Sequence, residues 1–416
     1  MGAPAATQNA SASDMARAQM VAQQPTRMEQ VINRWEYLNE NDELDFDAYS
    51  GFLLAYPDFP RTARLQIRAE NVLDSTAASS EQLVAYFDAH PPLTNTGRAR
   101  YALALNTLRR PEAAEMARAA WRGGPMKETT EAYLLGLFAG QFTQADNDAR
   151  MEALLWEGDA DGAVRLMLMT SLDKRDLFGK RLALVQDKLP QDEGLAIPRT
   201  ALDNPGTVYN LVRYYRENRQ MNQAINILTN RPQATSLPFE ESDIINEMLI
   251  AAKGAGARRA VQIAASADDL FAPNTDISEG SFRLRDKYTG LMWLGGTQAL
   301  WDLGDGAAAA PLFYRYGAAA KTPLTRAKGF YWAGRASSQA GNAGEATRCA
   351  LALGQHITLV EALFINTVVS LFAGLMPVPG GVGITEAGLS AGLVAVGVPA
   401  DTAFAIVLVF RLCTFY

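Results

Sequence analysis

The residues best placed to do chemistry lie in an apolar tail, at Pro377-Val378-Pro379-Gly380-Gly381-Val382-Gly383-Ile384-Thr385-Glu386. Pro377, Pro379, Gly380, Gly381 and Gly383 cannot continue a regular helix comfortably. A broken helix inside a bilayer leaves free backbone groups, which only protein or a water-filled cavity can satisfy. A carboxylate just after such a break, Glu386, is a functional candidate. Its other reading is a first-turn glutamate that stabilises a helix N-terminus. Arg411 can pair with Glu386 or contact a lipid head group, or simply snorkel to an interface. Elsewhere the chemical repertoire is thin. The two histidines, His90 and His356, and the two cysteines, Cys349 and Cys413, stand far apart in sequence. No Cys/His cluster has metal-ligand spacing, and no cofactor or metal is expected.

From Cys349 to Tyr416 the only charged residues are Glu361, Glu386, Asp401 and Arg411, against 38 basic and 45 acidic side chains in the whole chain of 416 residues. Three carboxylates and one arginine give the tail −2, leaving −5 of the net −7 to the first 348 residues. That deficit of cations argues against a nucleic-acid partner. So few thiols fit an oxidising compartment or indifference to redox. The first 27 residues, rich in Ala, Ser, Gln and Asn, read as a disordered leader with no visible signal peptide.

From about Met28 the apolar residues recur at three- and four-residue intervals, and strand signals are nearly absent. An aromatic or apolar helix ends at Gly, Asp or Asn, and an Ala-rich helix follows. This joint occurs at Trp156-Glu157-Gly158-Asp159, at Asn218-Arg219-Gln220, at Leu303-Gly304-Asp305 and at Ala340-Gly341-Asn342. Gly at the joint takes the left-handed conformation that ends one helix, and Asp or Asn caps the next. Trp293 and Trp332 are 39 residues apart, as are Gly295 and Gly334. Small residues such as Gly295 let helices approach closely. Helix pairs of this kind bury their apolar faces by stacking into a solenoid.

Three stretches carry a resemblance. The first is Trp35-Glu36-Tyr37-Leu38 with the run from Asp45 to Pro57. The second runs from Phe138 to Asp146, with Arg150 and Leu154-Leu155-Trp156. The third is Arg326-Ala327-Lys328-Gly329-Phe330-Tyr331-Trp332-Ala333-Gly334-Arg335-Ala336. Together they resemble the helical superhelix of soluble lytic murein transglycosylases. The resemblance implies an all-α, right-handed α-superhelix, U or ring shaped, over 28–348, holding peptidoglycan glycan strands in the periplasm. In that family a Glu-Ser pair, followed later by Gly-Leu-Met-Gln, marks a separate lysozyme-like domain. Here Glu241-Ser242 stands among other acids and reads as the start of a helix. Gly374-Leu375-Met376 is followed by Pro377. No catalytic residue is assigned, and the expectation is a scaffold without its cleaving domain. An active lytic enzyme is the alternative.

The tail, 349–416, offers three apolar segments, 357–376, 380–398 and 402–416, of lengths suited to two or three transmembrane helices. Leu371 to Leu389 and Phe410-Arg411-Leu412-Cys413-Thr414-Phe415-Tyr416 resemble the flippase-like membrane domain related to lysylphosphatidylglycerol synthases. There a Pro-x-Pro-Gly-Gly-x-Gly-x-x-Glu segment precedes an Arg-containing helix. The resemblance implies contact with a lipid bilayer through 357–416, attachment to the inner membrane, and lipid handling as a further alternative. Both resemblances are cut mid-domain and meet near Arg348/Cys349 without a linker, which reads as a chimeric or truncated chain.

Overall fold

The computed structural model describes residues 25–189, 191–192, 196–342, 384–395, 397–404 and 406–407. The described residues are helical or irregular, with no strand among them, which agrees with the all-α expectation. The chain divides into two compact units, 1–178 and 179–416. The expected boundary at 348/349 and the leader up to residue 24 lie outside the described residues.

In the first unit the helices are α1 (Pro25–Glu40), α2 (Phe46–Ala55), α3 (Thr62–Asn71), α4 (Ser80–Ala89), α5 (Asn95–Thr107), α6 (Ala113–Arg122), α7 (Glu128–Phe138), α8 (Gln144–Glu157) and α9 (Ala160–Leu166). Helix α10 (Leu172–Val185) runs across the division. The second unit continues with α11 (Pro205–Glu217), α12 (Met221–Asn230), α13 (Glu241–Gly254), α14 (Ala257–Ala265), α15 (Phe282–Thr297), α16 (Gly306–Ala319), α17 (Pro323–Gln339) and α18 (Ile384–Ala395). Within each unit the main helix–helix contacts run to the next helix in sequence or the one after it. That is the packing expected when short amphipathic helices bury their faces on sequence neighbours.

The joints form as their cap chemistry requires. Gly158 has φ +86° and Asp159 then accepts from the Gly162 amide at the start of α9. Gly304 has φ +64°, and Asp305 accepts from the Ala308 amide at 2.9 Å. At the joint after α11 the left-handed residue is Arg219, φ +58°, rather than a glycine. Capping boxes close α4 through Ser79 and Gln82, and α8 through Thr143 and Asp146. The Glu241-Ser242 pair does open a helix, α13. Its cap is Glu240, whose carboxylate accepts from the Ser242 hydroxyl at 2.8 Å.

Buried polar side chains fasten successive pairs in the first unit. Glu70, on α3, is fully buried and accepts from the backbone amides of Leu93 and Thr94, just ahead of α5. Asn147 accepts from the Trp121 indole at 2.9 Å and donates to the Met169 carbonyl at 3.1 Å. Arg150 is fully buried; it donates to the carbonyls of Trp121 and Gly124, lies 4.1 Å over the Trp121 ring, and pairs with Glu131 at 3.3 Å.

Helices α15 to α17 are fastened differently. After α15 a π turn, Gln298–Asp302, brings Trp301 against Phe313 and Trp332, with the Trp301 and Trp332 ring centroids 4.8 Å apart. The Lys328 ammonium sits 3.4 Å from the Trp293 ring centroid. Gly295 meets α14 closely: a methyl there would fall 2.6 Å from the Ala264 Cβ. A methyl on Gly329 would lie 2.5 Å from the Gly317 backbone, so α16 and α17 cross at contact distance.

The expected membrane-crossing helices are not met among the described residues, where no helix is long and apolar enough to cross a bilayer. Helix α18, the described part of the 380–398 segment, has 12 residues. Segments 357–376 and 408–416 lie outside the described residues.

Candidate functional site

The second unit carries a cavity of about 630 Å³, within the range of small-molecule sites. Four stretches build it: the loop after α12, the 3-10 turn Ser266–Leu270 with the loop to Asp276, the middle of α15, and the second half of α16. One salt bridge fixes the first two together. Arg231, at the end of α12, is almost fully buried and donates in bidentate fashion to Asp269, at 2.7 and 2.8 Å, and to the Ser266 carbonyl at 2.6 Å. The second Asp269 oxygen also accepts from the Ala234 amide at 2.9 Å. Planar bidentate pairs of this kind add geometric specificity as well as energy.

A second carboxylate joins the other two stretches. Asp268 accepts from the Tyr288 hydroxyl of α15 at 2.7 Å and pairs with Arg315 of α16 at 2.8 Å. Burial, and then the neighbouring Asp268 carboxylate, push the Tyr288 hydroxyl well above the usual phenol range, so it stays a donor. The Asp268 side chain remains 45% exposed at the cavity. Asn274 holds φ +65°, a left-handed turn residue. Asp276 caps the 3-10 turn Ile277–Glu279 through the Ser278 amide at 2.9 Å. Those Ser278 hydrogen bonds hold its carboxyl below the usual range. Tyr314, 39% exposed, forms an aromatic wall and is braced edge-on by Phe330, with centroids 5.2 Å apart. Among the described residues no group of three or more His, Cys, Asp or Glu is placed to hold a metal ion.

Sequence reasoning missed this cavity. Its polar partners are far apart in sequence: Tyr288 and Asp268 by 20 positions, Arg231 and Asp269 by 38, and Arg315 and Asp268 by more still. No local spacing announces them. The one visible signal was the adjacent pair Asp268-Asp269 after an Ala-rich helix, which has no meaning until its two partners are known.

Of the residues singled out in sequence, Glu386 lies in the first turn of α18 and is half-buried. On that helix Leu389 and Leu393, four apart, pack with Val398, Ala403 and Val407 in a small apolar cluster. Pro377, Pro379, Gly380, Gly381, Gly383 and Arg411 lie outside the described residues, as do His356, Cys349 and Cys413. His90 follows α4, with its ring 5.4 Å from that of Tyr86.

Residues 281–416 match the family model described as "Lysylphosphatidylglycerol synthase TM region". The match begins at the cap of α15, well before the loss of charge at Cys349, and so overlaps helices α15 to α17 of the helical array. It supports the membrane-domain resemblance of the tail and ties the C-terminal portion to a membrane-associated family. No curated protein matches the chain, and nothing among these comparisons supports the lytic transglycosylase resemblance.

Proposed function

We propose that the chain handles lipids at a membrane through its C-terminal portion. The observation that carries this reading is the family match over 281–416, which takes in the Pro377–Glu386 sequence and Arg411. Under it, Glu386 and Arg411 offer opposite charges to a head group in a setting otherwise poor in charge. The attachment expected is to the inner membrane, with the helical units on the periplasmic side. Reconstituting the full chain into phospholipid vesicles with a fluorescent head-group-labelled lipid tests it. Accelerated access of a quencher to inner-leaflet label, slowed by Glu386→Ala, is the expected result. A rate equal to that of protein-free vesicles overturns the proposal.

A second reading concerns the helical array, and the stacking of helix pairs on their sequence neighbours favours it. In that reading the array is a scaffold, superhelical in its full extent, that holds peptidoglycan glycan strands and does not cleave them. Co-sedimentation of the full chain with purified sacculi tests retention. Release of anhydro-muropeptides would overturn the non-cleaving part.

A further inference from the structure

We propose that the cavity framed by Asp268, Asn274, Tyr314 and Arg315 binds an uncharged pyranose ring, carried by a free glycan strand or by the head group of a glycolipid. The inference gives the glycan reading of the array a site, and rests on that reading for its choice of probe.

The chemistry follows from what the lining has already spent. Asp269 is neutralised by Arg231 and Asp268 by Arg315. Those two charges are compensated inside the protein and the Asp276 carboxylate is engaged by the Ser278 amide, so the lining presents no surplus cation for a phosphate or carboxylate, and among the described residues no three carboxylates converge to hold a divalent ion. What remains is hydrogen-bonding capacity of both signs. Asp268, 45% exposed, keeps lone pairs free beyond those used by Tyr288 and Arg315. The Asn274 amide, standing on a left-handed turn, supplies donor and acceptor together. Sugar hydroxyls donate and accept at once, and charge-assisted bonds to a carboxylate and a guanidinium suit them.

The apolar half of the lining fits the same ligand. Tyr314 presents a partly exposed ring whose orientation Phe330 fixes, and Ala318, one helical turn on, leaves space beside it. A pyranose has one face of C–H groups that covers an aromatic ring while its equatorial hydroxyls point sideways to planar polar groups. An aliphatic lipid chain would cover the exposed Asp268 oxygens and the Asn274 amide without offering them a further hydrogen bond, at a desolvation cost. The volume, about 630 Å³, admits more than one ring.

The test is titration of the full chain with fully N-acetylated chitotriose, followed by calorimetry, alongside vesicles containing a diglucosyl-diacylglycerol and vesicles of phosphatidylglycerol alone. Chitotriose or the glycolipid vesicle binds, phosphatidylglycerol vesicles do not compete, and Tyr314→Ala weakens binding about tenfold, the effect of uncovering roughly 60 Å² of apolar surface. Asn274→Gly, which keeps the left-handed turn while deleting the amide, weakens it without disturbing the fold. Tyr133→Ala, an exposed tyrosine that does not line the cavity, leaves binding unchanged. Saccharide binding that is the same in wild type, Tyr314→Ala and Asn274→Gly overturns the proposal, as does the absence of any saccharide binding. Sacculi retained without saccharide binding overturn the cavity assignment alone. Neither retained nor bound overturns the glycan reading with it.

Discussion

Around Arg150 the chain fastens one helix pair to the next with buried charge, whereas from α15 to α17 it uses rings and glycines for the same task. In the first case a guanidinium spans Trp121, Gly124 and Glu131, so one side chain sets the spacing of three segments. In the second, Trp301, Phe313 and Trp332 pack edge to face and Gly317 meets Gly329 at contact distance. Buried polar pairs tolerate no partial loss, because the partner left behind is stranded. Aromatic contacts lose stability in proportion to the area uncovered, while a glycine crossing fails as soon as any atom is added.

That contrast can be broken at either end. Arg150→Ala carries the largest expected loss, about 2–5 kcal/mol, since it empties a fully buried site beside Trp121 and leaves the Trp121 and Gly124 carbonyls without their donor, while Glu131 keeps Arg165 at 3.0 Å. Urea unfolding with hydrogen-exchange protection along α6 to α8 measures it, and a loss below about 1 kcal/mol would mean the guanidinium merely fills space. Gly329→Ala is expected to cost about 1–3 kcal/mol, read from exchange in α16 and α17, because the methyl enters the Gly317 backbone.

Acid should separate the two regions. Burial alone would raise the Asp148 carboxyl, but the Ser171 amide and hydroxyl and the Lys174 ammonium outweigh it and hold the group below the usual aspartate range. A folded value below the unfolded one gives stability that is fully present above the unfolded value and lost as pH falls through the folded one. Asp148→Asn therefore flattens the acid limb of the stability profile near α8 and α10, and an unchanged limb would contradict the assignment. The smallest effect sharpens the comparison from outside: Glu217→Ala removes an exposed i,i+4 partner of Arg213, 3.1 Å away, and should change stability by no more than about 0.5 kcal/mol.

What could be read in sequence was local. Gly158-Asp159 and Gly304-Asp305 announce a helix end and a cap because both events involve residues within four positions. The close approach at Gly295 was legible because a glycine inside an apolar helix costs stability unless something fills the space it vacates. The latches were not legible. Glu70 means nothing until the amides of Leu93 and Thr94 arrive. Arg150 in sequence is one cation among 38 basic side chains. Arg219 shows the reverse failure: an arginine took the left-handed conformation that was expected of glycine. The membrane helices were expected from composition, and among the described residues no helix is long and apolar enough to cross a bilayer.

The short reach of the latches has a consequence for how the protein is made. Asn147 bridges to a carbonyl 22 residues on, and Asn95 to one 30 residues on. Each of these fastenings can therefore close once 22 or 30 further residues have left the ribosome, without waiting for the distant end of the chain. Synthesis in the N-to-C direction and folding in the same direction would keep step. Helix pairs would be secured one after another as they emerge.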